Sequence, residues 1–243
     1  MPHNPSKKIL YLLAIAIFIS FLAIGQNGTV RISKKAVYTM AALLLSVERE
    51  TEFKLNIPFH RQEHSLSCEI ATLKMALDYY KLDIPESELL EKLPFDTESR
   101  RNKNNTWGNP NLGFVGNIDG KMPNEGYGVY EKPIAKLASR YRRARSVENA
   151  TLQEILTETA KGRPVIVWGA IGSGKDISWK TSGGQEIKAV FGEHTRIISG
   201  FSGTVSNPEK VYLLDPIYGQ RVMSKEKFLA DWALLDNKAV VVY

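Results

Sequence analysis

Cysteine occurs once in this chain of 243 residues, at Cys68, within the stretch QEHSLSCEIATLKMALDYY. A lone cysteine forms no intrachain disulfide, so packing, intermolecular pairing or reactivity must account for it. A thiol nucleophile needs a base to take its proton and a third group to orient that base. His194 and Asp215, both far downstream, supply those two residue types. Gln62, shortly ahead of Cys68, adds a side-chain amide. With the Cys68 backbone N–H, that amide makes an oxyanion hole for the charge that develops on an attacked carbonyl.

Local structure has to bring these four residues together. Ile70, Leu73, Leu77 and Tyr80 follow the spacing of one buried helical face, and Ser65 and Ser67 are N-cap candidates ahead of it. Cys68 then lies in the first turn, where unpaired N–H groups and the helix dipole favour the thiolate. HTRIISGF, between Gly192 and Gly200, reads as a strand, and VYLLD, ended by Pro216, as a second. Gly203 and Asn207-Pro208 mark a turn between them. An antiparallel hairpin of the two sets His194 beside Asp215 and leaves one imidazole nitrogen for Cys68. The competing readings are a buried structural thiol at 68 and a strand-ending Asp-Pro turn at 215. His60 and His64 flank Gln62 in a loop and read as rim or substrate-contacting residues.

Five separated blocks carry a resemblance: LNIPFHRQEHSLSCEIATLKMALDYY, WGNPNLGFVGNIDG, GYGVYEKPIAKLASRY, GEHTRIISGF and VYLLDPIYG. In this order, over residues 53–243, the chain resembles the C39-like branch of the papain-like cysteine peptidases. These are bacterial proteins that often carry an N-terminal export or anchor segment. The resemblance implies a papain-like fold, Cys68 as nucleophile, His194 as general base, Asp215 as its orienting partner and Gln62 as oxyanion donor. Many relatives have Gly directly after the cysteine, whereas this chain has Glu69, a charge that opposes the thiolate or an anionic substrate group.

The rest of the chain frames that domain. Residues 9–25, ILYLLAIAIFISFLAIG, are apolar and uncharged, and Lys7 and Lys8 precede them. That length is the short limit for a bilayer span, and the lysines predict a cytoplasmic N-terminus with the rest exported. Ala23-Ile24-Gly25 also forms a small-x-small site that a signal peptidase accepts. Residues 1–25 are therefore read as a signal peptide or signal anchor, 26–52 as a connector with a helix over 36–48, and 53–243 as the folded domain. That places the domain outside the cytoplasm, either tethered to the cell membrane or secreted. Within it the patterns predict helices over 85–92, 132–140, 152–161 and 225–232, and strands over 164–170, 194–201, 211–215 and 239–243. Helices first and a largely antiparallel sheet afterwards make the α+β class.

A Gly, Asn and Pro-rich loop over 102–128 is long enough to be functional, with Trp107, Gly113, Phe114 and Tyr127 as one wall of a substrate groove. GAIGSGKD at 169–176 approaches a phosphate-binding loop, but Asp176 stands where a hydroxyl should bind magnesium and no helical pattern follows. It reads as a flexible surface loop. The net charge is +6, and Arg140, Arg142, Arg143 and Arg145 form a solvated face or a contact for anionic lipid or an envelope polymer. Export argues against nucleic acid as a partner. No zinc-type cysteine pattern exists and the four histidines lack ligand spacing, so no metal or other cofactor is expected. The sequence thus predicts an exported thiol hydrolase, a cysteine peptidase acting on a peptide or related amide through an acyl-enzyme on Cys68. The alternative is a catalytically silent module of the same fold that binds an envelope peptide or polymer.

Overall fold

The computed structural model describes residues 22–24, 30–32, 52–96 and 102–243. The chain divides into two compact units, Met1–Thr51 and Glu52–Tyr243. In the first, strand β1 (Leu22–Ile24) pairs antiparallel with β2 (Val30–Ile32). The rest of the apolar stretch over 9–25 and the helix expected over 36–48 lie outside the described residues. Among the described residues no helix is long and apolar enough to cross a membrane.

The second unit is built on a seven-stranded antiparallel sheet in the order β12-β11-β10-β7-β13-β6, with β3 also paired to β10. The strands are β3 (Glu52–Lys54), β6 (Ala144–Val147), β7 (Val165–Ala170), β10 (Glu193–Gly203), β11 (Pro208–Asp215), β12 (Gly219–Ser224) and β13 (Ala239–Val242). Helices α1 (Cys68–Tyr79) and α3 (Glu131–Ala138) cover one face, and α4 (Leu152–Ala160) and α5 (Lys225–Ala233) the other. A short helix, α2 (Glu86–Lys92), packs beside α1. The period of two along each strand decides which side chain goes where. Ile166, Trp168, Ile197 and Leu214 join the core under α1, while Val165, Val167, Ile198 and Leu213 join the core with Phe228 and Trp232 of α5. Covering both faces explains why β7 is buried along its whole length. Burial of each such apolar side chain contributes about 1.5–3 kcal/mol.

The α+β arrangement is as the sequence predicts, and several details follow from single residues. Thr151 and Glu154 form a reciprocal capping box that starts α4. Ser224 caps α5 by accepting from Lys227 N at 3.3 Å. Two expectations are corrected. The segment read as a flexible surface loop is a hairpin of β8 (Asp176–Lys180) and β9 (Glu186–Val190), which leaves no helix N-terminus for a phosphate. Alternation buries its Trp179, Ile187 and Ala189 while the intervening charged and polar residues face outward. The aromatic residues assigned to a groove wall are the second case. Trp107 and Phe114 are fully buried in the core, Trp107 packing on Trp179 at 5.3 Å between ring centres. Gly113 lies against the Pro94–Asp96 backbone, where a side chain has no room, since Phe114 begins the two-residue strand β5 (Phe114–Val115) paired with β4 (Phe95–Asp96). Of the arginine run, Arg142 lies over the Tyr80 ring at 3.5 Å, and Arg140, Arg143 and Arg145 are exposed.

The far end of β10 carries β3 through a close approach at Gly200, where a Cβ would collide with the Phe53 carbonyl oxygen and sit 3.0 Å from Lys54 Cα. Gly200→Ala should therefore loosen β3 and cost about 1–3 kcal/mol of overpacking. Urea unfolding and faster proteolysis within residues 52–56 check this, and an unchanged midpoint with unchanged proteolysis would contradict it.

Candidate active site

Helix α1 begins at Cys68, and the loop before it is folded by its own polar groups. Ser67, at the N-cap, uses its Oγ to accept from His64 N at 3.1 Å and not to cap the helix. Gln62 N donates to Pro216 O at 3.1 Å, which ties this loop to the turn that follows Asp215. The Gln62 side chain donates through Nε2 to His64 O at 2.8 Å and to Ser65 O at 3.0 Å. Its amide hydrogens, which the sequence assigns to an oxyanion, are thus spent on loop carbonyls, and Oε1 is buried without a partner. His60 Nε2 lies 2.8 Å from Glu86 Oε2 and His64 Nδ1 2.9 Å from Asp119 Oδ1. Carboxylates hold both rings, and neither lines the cavity beside Cys68.

That cavity, of about 170 Å3, is where the distant residues meet: Gln62, Cys68 and His194 line it, with Met122, Tyr127 and Ile171 as apolar neighbours. Of the expected groove-wall residues, Tyr127 alone reaches it. A larger cavity of about 610 Å3, bordered by Tyr130 and Lys238, contains none of the candidate catalytic residues. The β10–β11 hairpin sets His194 Nε2 3.1 Å from Asp215 Oδ2, with the ring N–H off the line of a full hydrogen bond. Asp215 Oδ1 accepts from Ile217 N at 2.9 Å and Tyr218 N at 3.1 Å. Burial opposes ionisation of Asp215, but bonds from His194 and these two N–H groups hold its carboxyl far below the usual range.

Three residues missing from the sequence-based site shape it. Arg196, two positions after His194 on β10, donates from Nε to Asp215 Oδ2 at 3.0 Å, from Nη1 to Asp231 Oδ2 at 2.9 Å and from Nη2 to Ala170 O at 2.9 Å. A charged residue inside a buried β-branched run was the available signal. Thr195 and Glu193 leave the other face of the strand, toward α1. Thr195 Oγ1 is 3.2 Å from Thr72 Oγ1, and Glu193, Glu69 and Cys68 offer an acid oxygen, an acid oxygen and the sulfur all within 4.8 Å of one another. The Cys68 thiol donates to Glu69 Oε2 at 3.3 Å, while Glu69 Oε1 accepts from Val129 N at 2.6 Å.

These neighbours reverse the expected electrostatics of the thiol. Burial, then the charges of Glu69 and Glu193, push Cys68 well above its ordinary range, overriding the helix N-terminus. Burial also pushes the His194 imidazole below its ordinary value, although Asp215 pulls the other way. Thiol and imidazole are therefore both neutral at pH 7.

Comparison with known proteins matches residues 54–240 to the Peptidase_C39 like family. A solved structure of a Bacillus anthracis protein assigned as a C39-like peptidase superposes with a TM-score of 0.68 at 26% identity, covering 80% of this chain and 98% of that one. The double glycine motif protease of an AMS/PCAT transporter, solved with its leader peptide, gives 0.45 at 16% identity over 78% of this chain and 93% of its own. The peptidase domain of Streptococcus ComA, a bifunctional ABC transporter of a quorum-sensing pathway, gives 0.44 at 16% identity over 77% and 98%. No curated protein matches the sequence.

A raised thiol has a direct readout in folded protein freed of metal by a chelator. Alkylation of Cys68 should still be climbing beyond pH about 9.5, where a thiol of pKa about 8.5 has levelled off. Glu69→Gln removes a repelling charge and should move the midpoint down. A wild-type midpoint at or below about 8.5 contradicts this electrostatic picture.

Proposed function

Because the chain belongs to the C39-like peptidase family, we propose that it is an exported thiol peptidase that cleaves a peptide or related amide through an acyl-enzyme on Cys68. The observation that carries this reading is the shared cavity of Cys68 and His194, with Asp215 behind the imidazole. In the resting geometry the thiol faces Glu69, so the first step is rotation of Sγ toward the ring nitrogen of His194 that Asp215 does not hold. With both groups neutral, the proton leaves as the S–C bond forms, which is general-base catalysis and not attack by a preformed ion pair. The imidazolium that results is stabilised by ionised Asp215 and then protonates the leaving amine. Water, deprotonated by the same imidazole, cleaves the thioester.

The negative oxygen of the tetrahedral intermediate falls to the Cys68 backbone N–H at the start of α1, where the helix dipole adds a favourable field. Gln62 joins it once Nε2 lets go of His64 O or Ser65 O. A cavity of about 170 Å3 with Leu66, Met122 and Ile171 on its walls suits one small apolar side chain next to the scissile bond. Lys7 and Lys8 ahead of the apolar run over 9–25 support an extracytoplasmic location, tethered or secreted, with peptide or protein as the substrate class.

A specific observation favours the second reading, a silent binding module: the resting thiol points at a carboxylate and is hard to ionise. Turnover separates the two. With a mixed fluorogenic peptide library, wild type should hydrolyse at least one member, and Cys68→Ala should abolish it with stability changed by less than about 1.5 kcal/mol. Hydrolysis retained by folded Cys68→Ala removes the nucleophile, and absence of turnover by metal-free wild type on every peptide leaves the silent module.

A further inference from the structure

Glu69 and Glu193 form a buried acidic pair beside the only thiol. Glu69 is fully buried and Glu193 is 4% exposed, and among the described residues no Lys, Arg or His forms an ion pair with either. An unpaired buried carboxylate costs several kcal/mol, so two side by side require a positive partner. Arg196 exerts a favourable field on Glu193, yet its donors go to Asp215, Asp231 and the Ala170 carbonyl. Both Glu193 oxygens are buried without a hydrogen-bond partner, and Glu193 lines the same cavity as Cys68.

The surroundings leave room for a small cation. Carboxylate oxygens of the two residues converge at Gly128, where a Cβ would stand 2.5 Å from Glu193 Oε2 and 2.6 Å from Glu69 Oε1. Gly128 has φ +147, a region that disfavours any side chain, so this opening is fixed by the backbone. Cys68 Sγ and Glu69 Oε2 are 3.3 Å apart. Across a tetrahedral zinc ion with bonds of about 2.3 Å to sulfur and about 2.0 Å to oxygen, the S to O separation is about 3.5 Å. Thiolate with carboxylate selects a borderline cation over magnesium or calcium, which take oxygen ligands alone.

We propose that Cys68, Glu69 and Glu193 form a zinc site that holds the nucleophile out of reaction, with the cavity leaving the fourth position open. On binding, the Cys68 S–H proton passes to solvent, an S–Zn bond forms, and one carboxylate oxygen from each glutamate completes the protein ligands. Zinc is here a reversible inhibitor, so removing it exposes the thiol to His194. The role as inhibitor rests on the peptidase reading; the site itself does not.

The test uses the full chain, stripped with a chelator, in a reductant that is not a thiol. Added ZnCl2 should slow iodoacetamide labelling of Cys68, followed by mass spectrometry, by at least about tenfold, reversibly with EDTA, and Glu193→Gln should reduce that protection to less than about twofold. Equal protection in the variant overturns the site, and so does no protection of wild type, which leaves a proton as the pair's positive partner. Should Glu193→Gln not fold, Co2+ titrated into wild type must raise a thiolate-to-cobalt charge-transfer band that Cys68→Ser lacks, and its absence also overturns the site. His60, Glu63 and Glu86 make a second cluster of ligand-type groups, which a thiol readout does not report. Labelling needs no substrate, so loss of turnover in metal-free protein would fail the peptidase reading and leave the zinc result standing.

Discussion

The Arg196 guanidinium is the point on which the sheet and the site both depend. Its three nitrogens donate to the end of β11, to α5 and to the end of β7, all from one residue of β10. The arrangement satisfies Asp215 and Asp231 together in a place with little water, which is the condition for a buried ion pair to be tolerable. Asp215 Oδ2 is shared: it receives Arg196 on one side and His194 on the other. The carboxylate that would orient a catalytic base is thus the same one that fastens two strands together, so its role in folding and its role in chemistry cannot be varied independently.

Neighbouring positions on β10 place their acids in opposite electrostatic worlds. The side reached by His194 and Arg196 meets Asp215, which has two backbone N–H donors and a guanidinium and stays ionised. The side reached by Glu193 meets Glu69 and the thiol, with no such donors, and burial drives its carboxyl upward. Strand alternation alone separates the two, over the length of one peptide unit. A site that needs one firmly charged carboxylate and one thiol kept quiet obtains both from a single strand.

What the sequence revealed follows from which signals are local. The hairpin that joins His194 to Asp215 was legible because its β-branched runs are bounded by glycine and proline, and the Thr151 capping box because its two partners are three residues apart. The β8–β9 hairpin was missed because Lys, Ser and Asp between its apolar residues mimic a linker, although the alternation of Ile177 with Trp179 was there to read. Trp107 and Phe114 sit in a stretch rich in glycine, asparagine and proline, a composition that signals a loop and says nothing of whether its aromatic residues turn inward. The Glu69–Glu193 pair joins the first turn of a helix to a strand far along the chain, and no spacing rule reaches that distance. Glu69 stood out as a departure from related sequences, but its partner could not be named.

Strand β3 gives the domain a mechanical property. Any pull transmitted through the chain before Glu52 enters the sheet at β3, a ladder of three residue pairs loaded along its length and reinforced by the stacking of Phe53 on Phe201. That attachment lies at the opposite end of β10 from His194, and the Glu193–Ile198 stretch between is held by β7. Tension would therefore be absorbed by peeling an edge before it reached the reacting groups, so a tethered domain on this plan has a built-in strain relief.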